Sequence, residues 1–271
     1  GVEDLGNGYS VGFILEQGFT ADNGNAANAN YTTSSGFTRE SFMYVTGNFG
    51  KLGFGRTGSL SSGAQSNHIL TGWALGTGLG LSSWTSEIGT SYGRLNNTIS
   101  YATPSFSGLT IHAMYSNGIG EDTNKWSENT HYYGIGAKYQ ANAIKSSLIF
   151  EAVDNKGGEK NLVGNKVHGD KAYTVNFGFE YNLGSFTPMF AYQWANQDDG
   201  KKTHMFGLSA KVPVAGGDVL AGARYLFGKD EAITTGDDKV RAWNIGAAYI
   251  YPLSKRTAVK AYAGYADGAK A

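Results

Sequence analysis

The sequence has no cysteine, only four proline residues, no excess of charge of either sign and no run of 18 apolar residues. Without cysteine, the 271-residue chain has no disulfide framework and no thiolate-ligated metal site. The absence of a long apolar run excludes a transmembrane helix. Lys and Arg together number 22, as do Asp and Glu, so the chain lacks the basic excess of a nucleic-acid binder. We therefore expect no nucleic-acid partner, and we find no motif for a metal or a cofactor.

Glycine and aromatic residues are abundant instead, with 40 Gly, 17 Tyr and 14 Phe. Glycine disfavours helices and aromatic residues favour strands. The stretch "KAYTVNFGFEYNLGSFTPMFAYQW", from Lys171 to Trp194, alternates between large apolar and small or polar residues. Because successive side chains of a strand point to opposite faces, this stretch predicts two strands with one aromatic face.

The same alternation recurs along the whole chain and predicts about thirteen strands. Most have the 9–11 residues that a tilted strand needs to cross a bilayer. Their predicted cores are 9–19, 38–47, 50–57, 94–104, 108–117, 130–140, 143–154, 171–182, 185–196, 203–213, 218–228, 241–251 and 256–266.

The connections between these strands alternate between short and long. Short ones include "NFGK", "QANA" and "NLGS", whereas long ones cover roughly 20–37, 58–93, 118–129, 155–170, 197–202 and 229–240. If every strand reverses direction, all short turns lie at one end and all long loops at the other. That sorting is typical of a transmembrane β-barrel with short periplasmic turns and long extracellular loops. A water-soluble β-sandwich, the competing interpretation, explains the alternation but not the sorting.

The parity of the strands separates an apolar outward face from a polar face that we predict to line a lumen. Phe13, Leu148 and Ile245 are typical of the outward face. The polar face holds seven basic and three acidic residues, namely Arg39, Arg94, Lys138, Lys145, Lys211, Arg224 and Lys260 with Glu16, Glu151 and Glu180. A basic excess favours anions, but the preference should be weak because the Debye length is about 8 Å at physiological salt.

Thirteen strands cannot close a barrel of this kind. Bacterial single-chain barrels have even strand numbers, and an open sheet edge cannot face lipid. The segment "GVEDLGNG" looks like the end of a preceding strand, and the last predicted strand ends near "YADGAKA" on the loop side. We therefore expect the full protein to have additional strands, including the first strands and a C-terminal closing strand.

Four segments resemble the general porins of Gram-negative bacteria: "GVEDLGNGYSVGFILEQGF", "FTRESFMYVTGNFGKLGFGR", "RLNNTISYATPSFSGLTIHAMYS" and "GAAYIYPLSKRTAVKAYAGY". The similarity covers essentially the whole chain, 1–271. It implies a single domain that is a sixteen-stranded, all-β, antiparallel outer-membrane barrel, assembled as a homotrimer.

The resemblance also implies that the loop 58–93 folds into the barrel and narrows the pore. Basic pore-wall positions of the family map onto Arg56 and Arg94. The parity of Thr98 places Arg94 inside, whereas Arg56 has the parity of outward Leu52 and Phe54, so that its strand bends or bulges, or the residue lies beyond the lipid. The family's constriction loop is acidic, but Glu87 is the only acid in this one.

The loop instead contains apolar residues that either pack it onto the inner wall or line a track for a particular solute: Trp73, Leu75, Leu79, Leu81, Trp84 and Ile88. The pore-lining residues that we predict from parity or resemblance are Arg39, Arg56, Glu87, Arg94, Lys138, Lys145, Glu180, Arg224 and Lys260.

The sequence thus predicts a passive diffusion porin for small hydrophilic solutes and anions, in contact with outer-membrane lipid and lipopolysaccharide. A substrate-specific channel of the same fold is the main alternative. An outer-membrane enzyme or adhesin is less favoured, because His112 and Ser116 alone form no catalytic constellation and the loops are short for an adhesin.

Overall fold

The computed structural model describes residues 1–20, 22–25, 36–62, 66–76, 89–119, 125–155, 171–198 and 200–268. They form one antiparallel sheet of 14 strands in which each strand pairs with its neighbours in sequence. The strands are β1 (Val2–Gly6), β2 (Tyr9–Glu16), β3 (Glu40–Gly47), β4 (Gly50–Gly58), β5 (Arg94–Ala102), β6 (Leu109–Asn117), β7 (His131–Ala141), β8 (Ile144–Asp154), β9 (Lys171–Tyr181), β10 (Thr187–Gln197), β11 (Lys201–Val214), β12 (Gly217–Asp230), β13 (Lys239–Ser254) and β14 (Thr257–Asp267). One turn of 3-10 helix, Trp126–Glu128, follows β6.

Among the described residues, no helix has the length and apolar character needed to span a membrane.

The sheet has two faces of different chemistry, as the alternation predicts. On the outer face, large apolar side chains are exposed, for example Phe13 at 53%, Leu148 at 53% and Ile245 at 52%. The inner face is the one contacted by the described part of the loop between β4 and β5, and it carries buried polar side chains such as Asn176 and Gln193. The predicted parity agrees with the register of β2 and of β6 to β13.

The strands at one end of the sheet are joined by tight turns. Asn7 and Gly8 join β1 to β2 with φ angles of 52° and 79°, and Ala215 and Gly216 join β11 to β12 with 49° and 80°. Positive φ at both central residues is what a two-residue hairpin needs if its twist is to match that of the strands. The opposite end of the sheet, which we call the loop end, carries the longest connections, although β10 and β11 are joined there by residues 198–200 alone.

Two predicted boundaries need correction. The sheet has one strand more than the thirteen predicted, because Val2–Gly6 pairs with β2 as a strand of its own. The connection predicted as a long loop at 197–202 comprises only residues 198–200, since the ladder of β11 and β12 continues to Lys201 opposite Asp230. Pairing that persists beyond the apolar core of a strand leaves no signal in its hydrophobic pattern.

The parity that puts Arg39 on the polar face also predicts an inward position for Ser41, and this prediction is wrong. Ser41 lies opposite Leu15 on the outer face, whereas the neighbouring Glu40 lies opposite Glu16 on the inner face and is 3% exposed. Phe42 and Tyr44 follow Glu40 on the inner face. Because β3 has large apolar residues on both faces, hydropathy could not distinguish them.

Candidate functional site

The loop between β4 and β5 begins on a buried carboxylate of the inner face. Glu151 of β8 is 0% exposed and accepts hydrogen bonds from Ser61 Oγ at 2.7 Å, from Ser61 N at 3.3 Å and from the Tyr132 hydroxyl at 2.8 Å. Thr174 Oγ1 and Asn176 Nδ2 also donate to Glu151, each at 3.3 Å, and share Oε2 with the Ser61 hydroxyl. Five donors, from the loop, β7 and β9, therefore converge on one side chain, which ties the start of the loop to the wall.

A second buried carboxylate holds the next part of the loop. Glu40 accepts hydrogen bonds from Thr57 Oγ1 at 2.7 Å, from Ser66 N at 3.1 Å and from the Ser66 hydroxyl. Burying a carboxylate is costly unless it is hydrogen-bonded, so Glu40 requires these donors as much as the loop requires Glu40.

Residues 69–75, which we call the docked segment, cross the inner face. Every second residue of this segment packs against a glycine of a strand. A glycine leaves space for a close approach because it has no Cβ atom. We call the four glycines, one each from β7, β9, β12 and β13, the glycine row. The contacts pair Ile69 with Gly136, Thr71 with Gly178, Trp73 with Gly222 and Leu75 with Gly246.

The approach is tightest at the centre of the glycine row. A Cβ atom on Gly178 would lie 2.5 Å from the carbonyl carbon of Thr71 and closer still to its oxygen. Gly72, with φ of 90°, packs equally close, since a Cβ atom there would lie 2.8 Å from Gly178 Cα. At position 72, only glycine can both adopt the left-handed backbone conformation without strain and leave space for this close contact.

Polar side chains of the wall satisfy the backbone of the docked segment. Thr71 N donates to Ser147 Oγ at 3.0 Å, Gly72 N donates to Glu180 Oε1 at 3.1 Å, and Ala74 N donates to Ser209 Oγ at 3.0 Å. Further along, Gln193 exchanges two hydrogen bonds of 2.7 and 2.8 Å with the backbone of Thr90. An irregular segment held between strands needs such partners, because its backbone groups would otherwise be buried without them.

Trp73 covers a buried arginine. The guanidinium of Arg224 lies 4.5 Å from the Trp73 ring centre, and its Nε donates to Asn244 Oδ1 at 3.0 Å. Arg224 is 3% exposed, and Leu75 beside it is 5% exposed against Leu220 and Ala248. The two described apolar residues that the sequence singled out in this loop therefore pack onto the wall, and a cation–π contact stabilises the larger one.

This arrangement, an all-β sheet whose polar inner face holds one long loop at strand depth, agrees with the known proteins that the chain matches. A family model described as Gram-negative porin matches residues 1–271. The chain belongs to this family.

Individual relatives support the family membership. Outer membrane porin protein 32 of Delftia acidovorans is 28% identical over 265 residues, which cover 96% of this chain and 70% of the relative. The solved anion-selective porin from Comamonas acidovorans superimposes with a TM-score of 0.66 at 26% identity and covers 98% of this chain and 76% of its own. The trimer form of OmpT from Vibrio cholerae gives 0.67 at 14% identity, with 98% and 78% covered, and shows the fold alone. The protein is thus a transmembrane β-barrel porin of the Gram-negative outer membrane.

Several predicted pore residues of the porin lie on the inner face. Lys138 lines a cavity of about 470 Å³ together with His68, Thr110, His112 and Gln140. Lys145 Nζ lies 3.9 Å from Glu180 Oε2, so these two predicted residues form an ion pair. Lys260 of β14 lies opposite Ile250, which has inner-face parity.

The strand register corrects or refines the predicted positions of the three arginines near the loop end. Arg39 precedes β3, and its Nε lies 2.5 Å from Glu16 Oε1. Arg56 lies opposite Ser41, and its guanidinium donates to the Thr38 carbonyl and to the Asn96 side chain. Arg56 therefore has outer-face register and lies opposite a bulge in β5; Gly55 beside it has a φ of 119°.

The parity argument for Arg94 fails because of the same bulge. Thr57 lies opposite Leu95, both 0% exposed, and Arg94 lies opposite Gly58, so residues 96 and 97 together face the single residue Arg56. Asn97 has a φ of 51°, which marks the extra residue. An inserted residue reverses the alternation beyond it. Arg94 thus does not share the face of Thr98, and its place in the pore rests on the resemblance alone.

Sequence reasoning missed Lys51. It lies on the inner face opposite Thr46, with its ammonium 4.2 Å from the ring centre of Tyr44 and 5.6 Å from that of Phe42. The register also places Asp218 and Asp230 on the inner face. The inner face is therefore more balanced in charge than predicted. Glu87, Leu79, Leu81, Trp84 and Ile88 lie outside the described residues.

The packing of His68 predicts a pH dependence of loop attachment. Burial, together with the nearby Lys138 ammonium, lowers the pKa of His68 from 6.5 to about 4. In the unfolded chain the imidazole keeps its ordinary pKa, so the folded form binds fewer protons between about pH 4 and 6.5 and loses stability as the pH falls through that window. We expect the unfolding temperature of the barrel, measured by the change in its gel mobility after heating, to be lower at pH 4 than at pH 7. This decrease should be smaller in His68→Asn; an identical decrease in both proteins would contradict the argument.

Proposed function

We propose that this porin is a water-filled channel for passive diffusion of small hydrophilic solutes and ions, and that the loop 58–93 narrows its lumen. The observation that carries the proposal is the docked segment, which the glycine row and the hydrogen bonds to Ser147, Glu180 and Ser209 hold against the inner face. A loop fixed in this way occupies part of the lumen permanently. Transport of this kind needs neither catalysis nor an energy source.

We further propose a weak preference for anions. Lys138 makes no ion pair with any carboxylate of the described residues, and Lys51 is held over two aromatic rings on the same face. Glu40 and Glu151 are buried and engaged by hydrogen-bond donors, whereas Lys138 lines a cavity beside the loop. The printed description of the Comamonas porin as anion-selective supports the same direction.

The residues that we propose to line the pore or its rim fall into three groups. Lys51, Lys138, Lys145, Glu180 and Lys260 belong to the inner wall, and Arg224 acts beneath Trp73. Arg39, Arg56 and Arg94 lie at the loop end, and Glu87 lies on the loop. The trimer form of the Vibrio neighbour supports assembly as a homotrimer, and the outer face supports contact with membrane lipid and lipopolysaccharide.

A reversal-potential measurement on the complete protein in planar bilayers tests the selectivity. The double variant Lys51→Gln/Lys138→Gln should lower the anion-to-cation permeability ratio roughly twofold, which corresponds to about 0.4 kcal/mol of screened Coulomb energy. Lys125→Gln is the control, because Lys125 is an exposed loop residue paired with Glu128. An equal shift in the control, or none in the double variant, would remove these lysines from the selectivity. Saturable block by one solute would instead favour a substrate-specific channel.

A further inference from the structure

The loop ends of β11, β12 and β13 carry a row of basic side chains on the outer face. Lys202 lies directly opposite Lys229, and Lys229 lies directly opposite Lys239 on the next strand. Side chains that face each other across antiparallel strands have Cβ atoms about 4.5–5.5 Å apart, and like charges at such positions are destabilising. Three lysines side by side are therefore unfavourable unless a counter-ion joins them.

The rows below the lysines change step by step from polar to apolar. The row after the lysines combines a histidine, a phenylalanine and an arginine, the next is fully aromatic, and the one after that is aliphatic. In register these rows are His204–Phe227–Arg241, Phe206–Tyr225–Trp243 and Leu208–Ala223–Ile245. Such an order matches the passage from water through the aromatic interface into hydrocarbon. The lysine row therefore lies at the level of lipid headgroups.

Neighbouring carboxylates neutralise only part of this charge. Lys202 pairs with Glu231 at 2.7 Å, and Lys229 pairs with Asp238 at 3.8 Å. Asp237 accepts the backbone N–H of Lys239. Among the described residues, neither the Lys239 ammonium nor the Arg241 guanidinium has an ion pair. The two are one row apart on the same face of β13.

A cavity of about 450 Å³ lies between these groups. Its lining includes Lys239 and Arg241, the other two lysines of the row, Lys202 and Lys229, and the aromatic side chains of His204, Tyr225 and Phe227 just below them. Glu231 also lines the cavity, where its carboxylate is engaged by Lys202. The imidazole of His204 stacks on Phe227 at 5.6 Å between ring centres. The cavity therefore offers a cationic upper edge and an aromatic lower edge.

We propose that this cavity binds a phosphate group of the outer-leaflet glycolipid, lipopolysaccharide. The proposal rests on the proposed function, because it takes the loop end as the extracellular side. Arginine binds phosphate through paired N–H groups, and lysine adds a point charge. The aromatic rows below would contact the acyl chains of the same molecule, which a free phosphate ion does not have. A phosphorylated lipid thus matches both edges of the cavity.

Binding of lipopolysaccharide to the complete protein tests the proposal, measured with phosphorylated and with dephosphorylated lipid. Lys239→Gln/Arg241→Gln should weaken binding of the phosphorylated form about tenfold or more, since each basic residue near an anionic surface contributes about 1 kcal/mol. Binding of the dephosphorylated form should be weak in both proteins. Lys255→Gln/Arg256→Gln is the matched control, because it removes the same charges from the tight turn at the other end of β13.

Three results would overturn the proposal: unchanged binding in the first variant, an equal loss in both variants, or full displacement of the lipid by millimolar inorganic phosphate. The last would indicate a site for free anions. Conductance of the same variants in planar bilayers is measured in parallel and should equal that of the unmodified protein, because residues 239 and 241 face outward. Lipid binding therefore tests the lipid site, and conductance independently tests the channel.

Discussion

Replacing Glu151 with alanine should lower the free energy of unfolding by about 3 kcal/mol or more, and should release the start of the loop from the wall. The carboxylate is completely buried and accepts hydrogen bonds from Ser61, Tyr132, Thr174 and Asn176. Alanine would remove the acceptor that these buried donors share. Each buried group that loses its partner costs roughly 1–3 kcal/mol.

The loss of Glu151 is measured by the temperature at which folded protein in detergent changes its gel mobility, and by current noise in planar bilayers. Glu16→Ala is the control, because Glu16 is a partly exposed carboxylate paired with Arg39, and such pairs contribute about 0–1 kcal/mol. Glu151→Gln should lie between the two, since the amide keeps one acceptor oxygen. If the alanine variants at 151 and 16 unfold at the same temperature, Glu151 does not hold the loop.

The sequence predicts the sheet well because two of its signals are local. Alternation with period two identifies the outer face of most strands, and the sorting of short turns and long loops identifies the two ends. The same reasoning fails at β3, where Phe42 and Tyr44 face inward. In a lumen, apolar rings can serve to hold a cation such as Lys51, so hydrophobicity does not mark the lipid side there.

Bulges and loop contacts cannot be read from such patterns. A single extra residue at Asn97 reverses the alternation between Thr98 and Arg94, the first residue of β5. Nothing in the sequence "RLNNTIS" shows where this extra residue lies. Strand parity predicts the inner face for Glu151, but the burial of this carboxylate depends on residue 61, which is 90 positions away. The inner-face parity of Gly178 is equally visible in the sequence, whereas its contact with Thr71 depends on the path of the loop across the strands.

Substitution of single members of the glycine row should produce graded effects that depend on what each new methyl group meets. In Gly178→Ala the methyl would meet the Thr71 backbone, which no side-chain rotation can relieve. In Gly222→Ala it would lie 2.6 Å from Ser209 Cβ and 2.7 Å from the outer edge of the Trp73 ring, and in Gly246→Ala 3.1 Å from Leu75 Cδ1. The Trp73 ring and the end of Leu75 can move more easily than backbone, whereas Ser209 Cβ cannot. The expected order of damage is therefore 178, then 222, then 246.

Gly178→Ala should lower the free energy of unfolding by about 1–3 kcal/mol, the usual cost of an overpacked site. It should also lower single-channel conductance, because the wall cannot yield and the docked segment must move toward the lumen axis. Gly36→Ala is the control, since among the described residues the nearest group to its Cβ would be the Gln17 side chain, at 3.8 Å. Normal conductance in Gly178→Ala, or equal damage at 178 and 246, would mean that the glycine row does not set the width of the pore.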